Sequence, residues 1–144
     1  MKDFLTLEKQ LCFAVYETAA EFNKLYTSAL QPFGLTYSQY LVLLALWEDD
    51  GLTGKELGER LGLGTGTLTP MITRMEANGW LRKERSKEDE RKVNIHLQQK
   101  ALIEKNAITA SVGEKILACQ IELAEYEQLL LQLKVLRDKL KEGK

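Results

Sequence analysis

Several residue types are scarce in this chain, and each scarcity removes a class of function. The 144 residues include two cysteines, two prolines and one histidine. One histidine and two distant cysteines make no credible metal cluster, and two thiols make no disulfide framework, so neither metal nor cofactor is expected. No apolar run reaches the roughly 18 residues of a membrane span, and the opening MKDFLTLEK carries acids where a signal peptide is basic. These features predict a cytoplasmic protein with reduced thiols and no membrane partner.

The composition and the charge pattern favour a helical domain with an anionic partner. Hydrophobic residues make up 44% and charged residues 28% of the chain, which predicts a single globular domain over 1–144. Residues 51–100 carry ten basic and seven acidic side chains, whereas residues 1–50 carry three basic and seven acidic ones. A basic middle favours an anionic partner there, although a solvated mixed surface is the alternative.

Apolar residues recur at helical spacing through the first part of the chain. The spacing predicts a long helix over 5–30 and a second, buried helix over roughly 36–49. Thr53 and Glu56 have the spacing of a capping box, which predicts a short helix after them. Another apolar set follows at 68–75, and its helix should open between 65 and 69 because Pro70 suits only a first turn.

The hydrophobic period then changes from 3.6 to 2 on both sides of the charged stretch SKEDER. Alternation over 81–85 and 92–97 predicts a β-hairpin. Two more helices are expected from about 98 to the end, and the last carries a leucine stripe over 123–140. The fold class is therefore mainly α with a small β-hairpin: a winged helix-turn-helix at 52–97, flanked by dimerisation helices at 1–33 and 99–144.

This order of elements predicts binding to double-stranded DNA. In a winged helix-turn-helix the second helix enters the major groove with its first residues at the base edges. Hydroxyl groups there bond bases or phosphates, and one arginine a turn further pairs with the backbone; the residues are Thr65, Thr67, Thr69 and Arg74. The alternative is that the threonines only cap and solvate the helix.

The charged hairpin tip is the second predicted contact. Arg91 can reach into a narrow minor groove, with Asp89 holding it by a charge-assisted bond. Four more cations should lie near phosphates: Lys83, Arg85, Lys87 and Lys92. The alternative is a solvated turn. Because such readers bind two half-sites, we expect a homodimer on a pseudo-palindromic operator, joined by its terminal helices; an intrachain helical pair is the competing explanation.

The chain resembles a known family in these segments. LTYSQYLVLLALWE (35–48) and LTGKELGERLGLGTGTLTPMITRMEANGWLRKERSKEDERKV (52–93), with a helix on each side, are similar to the MarR family of dimeric bacterial transcription regulators. The segment QLCF at 10–13, followed by Tyr16, is similar to the first helix of the OhrR-like repressors that sense organic hydroperoxides. One departure is Gly64-Thr65, where that branch usually has Asp-Ser before the Gly-Thr-Leu-Thr-Pro run.

Cys12 is either a small core residue or the reactive sulfur of a sensor. A thiolate attacks peroxide and a thiol hardly does, so sensing needs groups that favour the ionised sulfur. With Cys12 inside a helix from residue 5, the helix dipole would help little. Tyr16 lies one turn away, whereas Tyr26 is about 21 Å along the helix and can reach only the Cys12 of a second subunit. The resemblance implies that phenols at the positions of Tyr16, Tyr26 and Tyr37 surround the sulfur, the last two from the partner.

The resemblance also implies a mechanism. An organic hydroperoxide oxidises Cys12 to a sulfenic acid, which condenses with a second thiol, and the strained dimer releases its operator. The second thiol is Cys119 or a low-molecular-weight thiol, and Cys119 is alternatively inert. The protein is then a redox-sensing regulator, expected to be a repressor, and not an enzyme.

Three other functions compete with this one. A MarR-type regulator can be released by a small aromatic ligand without thiol chemistry. A thiol peroxidase needs a redox pair that the sequence lacks, and its one histidine, His96, lies on a predicted strand. A helical scaffold would leave the charge of the hairpin unexplained.

Overall fold

The computed structural model describes residues 2–143, with side chains from residue 4 onward; Met1 and Lys144, the ends of the predicted domain, lie outside the described residues. Within that part, six α-helices accompany one antiparallel hairpin, which confirms the predicted fold class. In chain order the elements are α1 (Leu11–Leu30), α2 (Tyr37–Glu48), α3 (Gly54–Leu61), α4 (Thr65–Ala77), β1 (Leu81–Arg85), β2 (Val93–Leu97), α5 (Gln99–Ala118) and α6 (Leu123–Glu142).

The first helix begins later than predicted. Two short 3-10 turns, Lys2–Leu5 and Leu7–Lys9, precede α1. Thr6 and Gln10 adopt extended backbone angles, with ψ of 143° and 119°, and each interrupts helical hydrogen bonding. Cys12 is therefore the second residue of α1, and the expectation that it lies beyond the first turn was wrong.

The predicted capping box of α3 is present. The Thr53 hydroxyl accepts the Glu56 N–H at 3.1 Å, and the Glu56 carboxylate accepts the Thr53 N–H at 3.2 Å. These bonds from Thr53 hold the pKa of Glu56 below its usual value. The next helix, α4, opens at Thr65, within the predicted range. Pro70 is its sixth residue, past the first turn, so the expectation that it lies in the first turn was wrong, and its missing N–H removes one helical hydrogen bond at an exposed position.

The hairpin forms in the predicted place, with Leu81 opposite Leu97 and Arg85 opposite Val93. Residues 50–53 run along its β2 edge, where an isolated bridge joins Thr53 to Asn94. This contact fixes the hairpin to the segment that leads into α3.

The core lies where α2 crosses the other helices and the base of the hairpin. Its largest fully buried side chains come from five helices, β1 and the turn before β1: Leu30, Val42, Leu43, Leu46, Leu57, Met75, Trp80, Leu81 and Ile108. Only Ala29 and Leu30 of α1 are buried, and α6 buries none of its described side chains. The winged part is thus packed within one chain, whereas most of α1 and α6 is not.

Candidate functional site

Helix α4 turns one face to the core and the other to solvent. Leu68, Ile72 and Met75 are buried, whereas the predicted contact residues are all exposed: Thr65, Thr67, Thr69 and Arg74. No side chain caps the start of this helix at Gly64. The face predicted to read the major groove is therefore accessible.

A close turn sets the angle between α3 and α4. Gly62 has a left-handed φ of 68°, and the Leu63 N–H donates to the Gly58 carbonyl at 2.9 Å. A Cβ on Gly58 would lie 2.8 Å from the Leu63 carbonyl oxygen. Gly58 therefore permits an approach that a side chain would block.

The hairpin tip is held by bonds among its own residues. The Ser86 hydroxyl accepts two backbone N–H groups of the turn, each at 3.3 Å, and the Arg85 guanidinium donates to the Glu90 carbonyl at 2.7 Å. The Asp89 carboxylate accepts the backbone N–H and the Nε–H of Arg91, at 3.1 and 3.2 Å. These bonds from Arg91 hold the pKa of Asp89 below its usual value. The expected pairing of Asp89 with Arg91 is thus present.

A cleft of about 1150 Å³ lies between α4, the predicted recognition helix, and the hairpin. Its floor is apolar and includes Ile72 and Val93. Its walls carry five cations: Lys55, Lys83, Arg85, Arg91 and Lys92. Lys87 is exposed nearby at the hairpin tip. The cations face the space that a phosphate backbone would occupy if α4 lay in a major groove.

Cys12 lies at the solvent-exposed start of α1. Its thiol donates to the Gln10 side-chain oxygen at 3.8 Å. Tyr16, one turn on, is 71% exposed, and its ring lies 6.2 Å from that of Phe13. As the second residue of the helix, Cys12 sits where the free N–H groups of the first turn stabilise negative charge.

The other two predicted phenols, Tyr26 and Tyr37, lie at the opposite end of α1. They belong to a phenol cluster that also includes Tyr40 and Tyr126. The Tyr26 ring is 4.9 Å from that of Tyr37 and 5.7 Å from that of Tyr40. Burial, followed by the nearby phenols of Tyr126, Tyr40 and Tyr37, raises the pKa of Tyr26 to about 12. Burial and Tyr126 likewise raise the pKa of Tyr40. Tyr26 and Tyr40 therefore stay protonated at neutral pH, so they can donate hydrogen bonds.

Sequence reasoning missed two members of this phenol cluster. Tyr40 lies three residues after Tyr37 on one face of α2, and that spacing could have revealed it. Tyr126 comes from α6, and no local signal links it to the cluster. Within one chain the structure joins Tyr26 with Tyr37 but leaves Cys12 about 21 Å and Tyr16 about 15 Å from Tyr26 along a continuous α1.

The second cysteine, Cys119, lies between α5 and α6. It caps the C-terminus of α5, is exposed, and its thiol donates to the Lys115 carbonyl at 3.4 Å. Gln120 follows with a left-handed φ of 59° and begins the turn into α6. Both cysteines are free, so each is open to oxidation.

Large apolar side chains remain exposed on the terminal elements. The N-terminal segment exposes Leu5, Leu7, Leu11 and Val15, and α6 exposes Leu123, Leu129, Leu130, Leu131, Leu133, Val135 and Leu140. Exposed apolar side chains in such numbers are typical of an interaction surface. Among the described residues, no group of three or more His, Cys, Asp or Glu could hold a metal ion. Nor does any described helix combine the length and apolar character of a membrane span.

Comparisons with known proteins agree with this arrangement. The family model for the transcriptional regulator SarA/Rot matches residues 24–108. The organic hydroperoxide resistance transcriptional regulator of Bacillus subtilis is 48% identical over 107 residues, which cover 74% of this chain and 73% of that protein. The transcriptional regulator TtmR of Methylorubrum extorquens is 54% identical over 95 residues. That match covers 66% of this chain, which spans about half (49%) of the TtmR length.

Two solved structures of AbfR, a protein of Staphylococcus epidermidis, resemble the fold. Reduced AbfR bound to DNA superposes with a TM-score of 0.85 at 36% identity, covering 94% of this chain and 93% of AbfR. AbfR in a disulfide form superposes with a TM-score of 0.68 at 37% identity, covering 90% of this chain and 91% of AbfR. These relatives are transcriptional regulators and a DNA-bound protein with distinct redox forms.

Proposed function

This chain belongs to the SarA/Rot family of transcriptional regulators, of the MarR-like winged helix type, and we propose that it senses organic hydroperoxides through Cys12. It is a DNA-binding regulator and not an enzyme. The proposal concerns its signal, its operator contacts and its assembly. We place it in the cytoplasm, where its DNA partner lies.

The operator contacts use both α4, which is the recognition helix, and the hairpin of β1 and β2 with its tip, which is the wing. Thr65, Thr67 and Thr69 of α4 enter the major groove, where hydroxyl and methyl groups read base edges, and Arg74 pairs with the backbone. Arg85 and Lys87 lie near phosphates. Arg91 enters the minor groove in the orientation that Asp89 imposes on it.

The working unit is a homodimer on a pseudo-palindromic operator. The apolar stripe of α6 and the start of α1 lack a partner within the described chain, and a second copy would bury them. Two copies related by a two-fold axis would also present two recognition helices to successive half-sites.

The dimer completes the sensing site, and one observation supports this step: the phenol cluster and Cys12 lie at opposite ends of one continuous helix. In antiparallel first helices, the Cys12 of one subunit meets Tyr26 and Tyr37 of the other. The raised pKa of Tyr26 keeps its hydroxyl protonated, so it donates to a thiolate. Tyr16 borders the sulfur from the same chain.

The chemistry is a two-electron oxidation. The Cys12 thiolate attacks the distal peroxide oxygen, the O–O bond breaks, and the alkoxide leaves and takes a proton to become an alcohol. The sulfenic acid then condenses with a thiol, forming a disulfide and releasing water. That thiol is Cys119 or a low-molecular-weight thiol. Apolar neighbours such as Phe13 and Phe22 favour organic hydroperoxides over hydrogen peroxide.

The deciding experiment compares DNA binding before and after stoichiometric cumene hydroperoxide. The probe is a duplex selected by the reduced protein from a random-sequence pool. Wild type should lose the duplex on oxidation, whereas Cys12→Ser should keep it. Cys119→Ser is the matched control for the resolving step: cross-linking on a non-reducing gel should disappear if Cys119 resolves the sulfenic acid. Release of DNA from Cys12→Ser by peroxide would refute the sensing role.

A further inference from the structure

The wing is attached to the rest of the chain along both of its edges. At the β2 edge, the Ile95 N–H donates to the Leu52 carbonyl at 2.8 Å, and the Gly51 N–H donates to the Ile95 carbonyl at 3.0 Å. The β1 edge has no neighbouring strand in the two-stranded sheet. Lys83 is the register partner of Ile95, so its N–H also points away from the sheet and needs an acceptor elsewhere.

That acceptor comes from the recognition helix. One carboxylate oxygen of Glu76 accepts the Lys83 backbone N–H at 2.8 Å. The other lies 3.7 Å from the Lys83 ammonium, which also donates to the Thr73 hydroxyl at 3.2 Å. The last turns of α4 are thus bonded to the middle of β1 through both the backbone and the side chain of Lys83.

Charge alone argues against a carboxylate at this place. Phosphates approach α4 and the wing, and a negative side chain between them repels DNA. Removing Glu76 should therefore strengthen binding if electrostatics were its only effect. If Glu76 favours DNA binding, it must therefore act through the geometry that it imposes and not through its charge.

We propose that Glu76 is a positioning residue that sets the wing against the recognition helix, so that both reach one DNA duplex together. The β2 edge is held at Leu52 and the β1 edge at Glu76. Arg91 lies beyond the strands, so a small rotation at Lys83 becomes a larger displacement at the tip. Loss of the Glu76 bond frees that rotation and moves Arg91 out of register with the threonines of α4. This role rests on the DNA-binding function and is independent of thiol sensing.

The test measures the affinity of reduced protein for a fluorescein-labelled duplex that wild type has selected from a random-sequence pool. Glu76→Ala should weaken binding about tenfold, because a charge-assisted bond to the wing is lost. Glu76→Gln keeps an acceptor for the Lys83 N–H and should retain most of the affinity. In an Arg91→Ala background, Glu76→Ala should cost less than about threefold, because the tip no longer contributes.

Glu59→Ala is the matched control. It removes an exposed carboxylate from α3, on another wall of the same cleft, and should bind as tightly as wild type or more tightly. Hydroxyl-radical footprints should show that Glu76→Ala loses protection where the wing lies and keeps it where α4 lies. If Glu76→Ala does not fold, Glu76→Asp takes its place, because it keeps the charge and withdraws the carboxylate by one methylene.

Two results would overturn the positioning role. One is a Glu76→Ala protein that binds as tightly as wild type. The other is an equal loss in the wild-type and Arg91→Ala backgrounds, which would mean that Glu76 acts only on overall stability. Failure of wild type to select any duplex would overturn the DNA contacts as well, so the two failures are distinguishable.

Discussion

The ring of Tyr26 lies on the ring of Tyr37, with centroids 4.9 Å apart and planes inclined by 21°. Tyr26 belongs to the last turns of α1 and Tyr37 is the first residue of α2, so the contact joins two helices across the connection at residues 31–36. It also brings the phenol cluster together at the end of α1 that is remote from Cys12. If these phenols act on Cys12, that Cys12 belongs to another chain.

Mixed dimers test this arrangement. A wild-type subunit paired with a Cys12→Ser/Tyr26→Phe subunit has one Cys12 thiol, which faces the substituted ring. Its oxidation by cumene hydroperoxide should be about tenfold slower than in wild type, because a hydrogen bond to the charged sulfur is lost. Stopped-flow kinetics with excess peroxide measure the rate.

The complementary mixed dimer is the control. It pairs a Cys12→Ser subunit with a Tyr26→Phe subunit, so its one Cys12 thiol faces an intact Tyr26 and should react at the wild-type rate. The opposite order of rates would show that each phenol cluster serves the thiol of its own chain.

The burial of Tyr26 predicts a loss of stability in alkali. Its pKa is raised from 10.0 to about 12 in the folded protein. This group leaves stability unchanged below about pH 10 and lowers it between there and about pH 12, where only the unfolded chain has lost the proton. Urea unfolding at about pH 9 and about pH 11.5 should show a smaller decline for Tyr26→Phe than for wild type. Equal declines would contradict the raised pKa.

The Asp89–Arg91 pair predicts an effect opposite to simple charge repulsion. Asp89→Ala removes a negative charge from the wing, yet it should weaken DNA binding about three- to tenfold because Arg91 loses its orientation. Glu88→Ala removes a neighbouring exposed carboxylate and should leave binding equal or tighter. Fluorescence anisotropy at two salt concentrations checks both, and tighter binding by Asp89→Ala would exclude the orienting role.

The close turn before the recognition helix predicts a stability effect at Gly58. Gly58→Ala places a Cβ 2.8 Å from the Leu63 carbonyl oxygen, and the backbone shift needed should cost about 1–3 kcal/mol in the free energy of unfolding. Gly66→Ala has open space around its Cβ and should change this free energy by less than about 0.5 kcal/mol. Urea unfolding at one protein concentration compares the two.

The features that sequence predicted well depend on near neighbours. The Thr53–Glu56 box, the opening of α4 and the hairpin follow from residues a few positions apart, whose spacing sets the local backbone. The start of α1 was wrong because apolar spacing continues through Thr6 and Gln10, although their backbones are extended. The expected roles of Cys12, Cys119 and the DNA-contacting side chains remain predictions.

The sequence by itself determined the winged helix-turn-helix, because short-range capping, periodicity and turn chemistry agree along that segment. Only the tertiary structure decided which groups meet across the fold. It brought the ring of Tyr40 to that of Tyr26, placed Tyr126 near enough to raise the pKa of Tyr26, and brought Glu76 to the open edge of β1. No local pattern encodes these contacts, because each depends on how separate elements pack together and on which polar groups that packing leaves in need of a partner.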